Sequence, residues 1–170
     1  MEKEELEMLV KNNLSKDGKS LDLTAEYIKE LGVKDLAKME ILKDLTSLEM
    51  GRNLIGVKGA KYLASSKVLT NLTSLNLYYN QLDNDGAKYI AVSENLVSLA
   101  NFNLSGNGIG DEGAKMLAKF LPLYTNLIRL DLRFNRIKEE GQEALREAQK
   151  LTKIKQLLLD VEEGFQVKTQ

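Results

Sequence analysis

The stretch Leu99–Leu121, LANFNLSGNGIGDEGAKMLAKFL, decides the fold. Its opening alternates apolar and polar residues with the period of two that a half-buried strand needs. Asn107 closes the turn that follows, where its amide can bond backbone groups of a neighbouring coil. Asp111 reads as the N-cap of a helix, and GAKMLA then places small and large apolar residues on one helical face. Gly113 and Ala114 let the helix start lie close to the preceding coil.

This unit recurs along the chain. The pattern L-x-x-L-x-L-x-x-N-x-I/L begins at Leu45, Leu72, Leu99 and Leu127, at spacings of 27, 27 and 28 residues, and a half unit starts at Ile154. It also extends backwards through Leu21 and Leu23, although Gly18 and Glu26 stand in for the first leucine and the asparagine. A glycine column (Gly32, Gly59, Gly86, Gly113, Gly141) and two leucine columns keep the same phase. One is Leu36, Leu63, Ile90, Leu117 and Leu145; the other is Leu42, Leu69, Leu96, Leu123 and Leu151. The expected fold is an α/β right-handed βα solenoid of about five full repeats of 27–28 residues plus a terminal half repeat.

One such unit cannot bury both its strand and its helix, so the ends of the stack need covering. Residues 1–17 carry Leu6, Leu9, Val10 and Leu14 at helical spacing and predict an N-terminal capping helix, with Asn12 and Asn13 at its end. Residues 18–159 are the repeats. Residues 160–170 form a C-terminal tail whose Phe165 and Val167 are candidate lids; alternatively the open end meets a partner or another copy. Met1 and the capping-like first helix favour a natural start. Asn84, like Asp111, is expected to cap its own helix, whereas Val57 at the matching place is not. Pro122 lies in the one 28-residue unit, and Tyr124 reads there as the inserted residue of a loop adjustment.

Composition narrows the chemistry. Hydrophobic residues at 43% and charged residues at 29% describe an ordinary folded, soluble domain. A net charge of −1 offers no general attraction to nucleic acid or to an anionic membrane. Without cysteine there is no disulfide, thiolate nucleophile or cysteine-held zinc. Without histidine the commonest general base and metal ligand are also missing. No nucleophile–base pair or metal constellation remains, so the chain reads as a non-enzyme with no cofactor and no metal. The charged N-terminus is unlike a signal peptide, and no apolar run approaches a membrane span. A cytoplasmic protein, or one exported without a cleaved signal peptide, is expected.

LSGNGIGDEGAKMLAKFL, NQLDNDGAKYIAV and RNLIGVKGAKYLA resemble the ribonuclease-inhibitor class of leucine-rich repeats. The resemblance covers about residues 18–159. It implies a horseshoe with strands on the inner curve and full helices outside. Members include nuclease inhibitors, GTPase-activating proteins, innate immune sensors and bacterial effectors, whose functions reside in surface residues grafted on a common scaffold. This chain departs from the mammalian inhibitors in lacking cysteine, and it has fewer repeats than the inhibitors or GTPase activators. The implied function is a non-catalytic protein–protein interaction module binding another protein on its concave strand face. The alternatives are a regulator of a partner enzyme, GTPase-activator-like or bacterial effector, and a homotypic assembly module joined weakly through the C-terminal end.

On such a face, aromatic and arginine side chains most often dominate binding energy. The candidates are Arg52, Tyr78, Tyr79, Arg129, Arg133 and Phe134. Tyr79 and Phe134 occupy equivalent places with the small Gly106 between them, so their rings would stand about 10 Å apart and flank an inserted side chain. Arg52, adjacent in the same column, would stack on Tyr79. Leu158 is an exposed apolar candidate or lies under the tail. Asp22, Glu49 and Asp131 read as a solvated polar face with ion pairs to Arg129 and Arg133. The GNGIG run at 106–110 is a turn of the repeat and lacks dinucleotide-binding spacing. LDNDG at 82–86 echoes a calcium loop, but Gln81 and Val92 stand where that loop needs acids.

Overall fold

The computed structural model describes residues 1–161. Its six short strands are β1 (Ser20–Asp22), β2 (Ser47–Glu49), β3 (Ser74–Asn76), β4 (Asn101–Asn103), β5 (Arg129–Asp131) and β6 (Gln156–Leu158). They form one parallel sheet in sequence order. Ser20, Ser47, Ser74, Asn101, Arg129 and Gln156 lie side by side across it, so the weak first unit keeps the common register. The helices are α1 (Lys3–Asn13), α2 (Lys29–Leu36), α3 (Gly56–Ala64), α4 (Asp83–Ala91), α5 (Asp111–Phe120) and α6 (Glu139–Lys150). This is the βα solenoid that the repeat period predicts.

The core lies between sheet and helices. Leu48, Leu75, Phe102 and Leu130 face inward from the strands, against Leu63, Ile90, Leu117 and Leu145 from the helices. Successive helices stack through the small-residue column: a methyl group at Gly141 would come within 3.0 Å of the Ala114 methyl. At the N-terminal end α1 buries Leu6 and Val10 in this core. Leu14, expected on the helix face, instead leaves the helix and bridges Leu21 in antiparallel fashion. Phe165 and Val167 lie outside the described residues.

The asparagine column forms a ladder. Asn80 Nδ2 donates to the carbonyls of Met50 and Leu77, and its Oδ1 accepts the Asn53 backbone N–H at 2.8 Å. Asn53, Asn107 and Asn135 repeat the arrangement. The carboxylate of Asp160 ends the series by accepting the N–H groups of Phe134 and Asn135. Every coil therefore satisfies its buried turn through the next, and no unit's turn is complete alone.

Two local expectations change. Asn84 and Asp111 do not cap their own helices: both already lie within the first turn, and each serves the next unit. Asn84 Oδ1 accepts the N–H groups of Gly110 and Gly113 at the start of α5, at 2.7 and 3.1 Å. Asp111 Oδ1 does the same for Lys138 and Gly141 at the start of α6. A side chain at Gly113 would strike that amide oxygen at 2.8 Å, which is why the column is glycine there.

Nor is Tyr124 a loop insertion. It occupies the place of Leu96 one unit later, buried in the core, while Leu123 is pushed 55% into solvent. Its phenol donates to the Ile90 carbonyl at the end of α4. Ser66 and Ser93 perform the same service for the ends of α2 and α3, at Ala37 and Ala64. Phe120 follows in their column and cannot donate, so the tyrosine supplies the hydroxyl. Burial pushes the Tyr124 phenol's pKa up, so it stays a donor.

Candidate functional site

Counting each repeat from its first leucine, the fifth place lies on the strands and faces away from the core. Four of these side chains are engaged by their own turns. Asp22, Asn76, Asn103 and Asp131 accept the N–H two residues on, from Thr24, Tyr78, Ser105 and Arg133. This is the local side-chain-to-backbone bond that Asx residues favour. Asp131 goes further. Arg133 grips it with two hydrogen bonds of 2.6 and 3.0 Å, and Arg129 approaches at 3.7 Å while donating to Gln156. Burial would raise the Asp131 carboxyl's pKa. The Arg133 hydrogen bonds and the charges of both arginines outweigh it and hold the value below normal.

The turn after each strand sets up a different row. At the eighth and tenth places the backbone enters the left-handed region: Ala25 and Tyr27, Arg52 and Leu54, Tyr79 and Gln81, Gly106 and Gly108. The eighth-place N–H groups then donate across to the next coil, as Arg52 does to Tyr78 and Tyr79 to Ser105. Those cross-coil bonds impose the conformation on whatever residue is present. Only the fourth unit fills both places with glycine, the residue suited to it.

Tyr27, Arg52, Leu54 and Tyr79 together line an open depression of about 570 Å³ on this rim. Their exposures are large for apolar residues: 65% for Tyr27, 42% for Leu54 and 51% for Tyr79. Tyr27 and Leu54 are not among the residues that the sequence singles out. The available signal was two apolar residues at a tenth place that elsewhere holds Gln81, Gly108 and Arg136.

The six expected residues separate into two groups. Arg52 and Tyr79 join the depression. Tyr78 is half-buried, packed flat over Gly51 and edge-on to Tyr79 with ring centres 5.9 Å apart. Arg129, Arg133 and Phe134 lie farther along, around Asp131. The expected slot between Tyr79 and Phe134 is not open, because the Tyr79 ring lies on Gly106 and fills it: a methyl there would meet the ring at 2.6 Å. The Arg52–Tyr79 stack is likewise absent among the described residues. A cation–ring contact forms instead between Arg133 and Phe134, 5.9 Å apart. Leu158 is half-buried on β6. No three acidic side chains converge as metal ligands among the described residues, and none of their helices is long and apolar enough to cross a membrane.

A leucine-rich repeat family model matches residues 42–64, 68–91, 97–118 and 125–145, over half of the chain. With the repeat geometry above, the chain belongs to the leucine-rich repeat family. Leucine-rich repeats generally mediate protein–protein interaction and are typically non-catalytic. No curated protein matches the chain significantly.

Proposed function

We propose that this chain is a non-catalytic module of the ribonuclease-inhibitor-like class. It binds another protein through the rim at the carboxyl ends of its strands, with Tyr27, Arg52, Leu54 and Tyr79 at the centre. The class assignment is supported by the α-helix, 8 to 12 residues long, on the outer side of each full unit. The binding reading rests on one observation. All four side chains lining the depression are large, are exposed, and occupy backbone positions with φ between 51° and 61°. Such a position costs an ordinary residue about 1 kcal/mol or more relative to glycine. Backbone preference therefore does not account for them, and burial does not either. Tyrosine and arginine around an apolar centre are the composition of an interface hot spot.

The test is affinity capture with the full chain as bait, followed by titration of the captured protein against Tyr27→Ala/Tyr79→Ala. Loss of two anchors should weaken binding by at least about 2 kcal/mol, roughly 30-fold in Kd. The melting temperature should stay within a few degrees, since Tyr27 is 65% exposed and Tyr79, 51% exposed, packs on Gly106 and the edge of Tyr78 without entering the core. Unchanged affinity would place the interface elsewhere.

A further inference from the structure

The rim depression holds one charge. Arg129 and Arg133 are committed to Asp131, and Arg146 donates to Gln142 at 2.7 Å. The Arg52 guanidinium makes no hydrogen bond or ion pair among the described residues, its backbone N–H alone donating to Tyr78, and Arg52 is the only charged residue lining the depression. No carboxylate comes within ion-pair distance of Arg52 among the described residues; Asp22 accepts the Thr24 N–H, and the Asp83 oxygen leans over Gly108 on the fourth coil. Lys58, on the helix that follows Arg52, is occupied with Glu30 at 3.3 Å.

From this we infer that the occupant of the depression is a protein segment presenting an aspartate or glutamate side chain beside an apolar one. The inference rests on the reading of the rim as a binding surface and adds the chemistry of what it binds. A guanidinium offers a planar fork of N–H donors that matches a carboxylate with two parallel hydrogen bonds. Two phenol rings and a leucine around it, once covered by the bound segment, shield that pair from water and supply the contact area for the neighbouring apolar group. Magnitude decides between anions. A phosphate monoester carries nearly two charges and calls for more than one cation, whereas a carboxylate is neutralised by Arg52 alone.

The experiment is an array of short peptides probed with the labelled full chain. Each sequence has leucine or phenylalanine beside a central glutamate, and it is also synthesised with glutamine or phosphoserine at that centre. The expected result is at least tenfold stronger retention of the glutamate form than of the glutamine form. Arg52→Gln should reduce that ratio to about one, while Arg136→Gln, on the same rim, should leave it intact. Arg52→Glu should shift retention to lysine-centred copies of the same peptides. Equal retention of the glutamate and glutamine forms, preference for phosphoserine, an equal loss with Arg136→Gln, or no retention at all would each overturn the inference. The two ideas fail separately. Peptides lost with Tyr27→Ala/Tyr79→Ala but indifferent to the acid leave the rim as the binding surface, whereas peptides held regardless of both tyrosines remove it.

Discussion

The rim of the first three coils and that of the last two are built on one repeat, yet they present opposite chemistry. Over coils one to three the turn displays Tyr27, Arg52, Leu54 and Tyr79 on left-handed backbone, with the arginine unpaired. Over coils four and five the same places hold Gly106, Gly108, Phe134 and Arg136, and Arg129 and Arg133 beside them are bound to the buried Asp131. The difference is one of spacing. Arg133 stands two residues after Asp131 and points along the same face, so the ion pair closes within one strand end. Arg52 stands three residues after Glu49, which places the two on different rows and leaves the guanidinium free. An arginine in a repeat turn is therefore informative only together with the fifth-place residue beneath it.

The widest break in this contrast should come from Asp131→Ala. It removes two charge-assisted bonds from Arg133, the ion pair with Arg129 and the acceptor of the Arg133 N–H, so unfolding free energy should fall by about 2 kcal/mol in a denaturant titration. The same variant should free the Arg133 guanidinium, while Arg129 keeps its bond to Gln156, and should strengthen retention of acidic peptides at the C-terminal rim. Acid provides a second view. Because the folded Asp131 carboxyl titrates below the ordinary aspartate value of 3.8, its contribution is fully present above that pH. It is lost as the pH falls through the lower folded value. Asp131→Asn should therefore flatten the acid limb of the stability curve.

A smaller effect is expected from Gly106→Ala. With φ at 66° and the Tyr79 ring on the glycine, the added methyl costs about 1 kcal/mol in backbone strain. It also lifts the ring, so thermal unfolding and peptide binding should both respond. The least change in stability should follow Leu54→Gly. Relief of left-handed strain offsets the extra freedom of the unfolded chain, leaving stability within about 0.5 kcal/mol. Binding at the depression should nevertheless weaken. A large loss of stability in that variant would mean that Leu54 is part of the scaffold rather than of the contact surface.

Much of this architecture was legible in the residues because contacts between units recur at the repeat spacing. Leu48, Leu75 and Leu130 become buried strand centres because each sits in a column, and Asn53, Asn80 and Asn107 become a ladder for the same reason. The site was legible only in part. Arg52 and Tyr79 were visible as aromatic and charged exceptions to the consensus. Tyr27 and Leu54 were hidden because apolar residues in a leucine-rich sequence suggest core, and only the left-handed turn throws them outward. Asn84 and Asp111 were legible as helix caps but not as caps of the next unit's helix, and Tyr124, which reads as an insertion, fills a buried column.

The sequence by itself thus determined what is periodic: the unit length, the strand and helix of each coil, the buried columns and the asparagine turns. Those follow from side-chain alternation and from one contact rule applied at every coil. Tertiary structure alone decided which way each side chain leans between coils. Asn84 caps the helix ahead of it, Tyr78 covers the glycine behind it, and Tyr79 covers the one ahead. Leaning depends on the space a neighbouring coil leaves, and that space is a property of two stacked units rather than of either one. The unpaired charge of Arg52 in an apolar hollow is a product of that stacking.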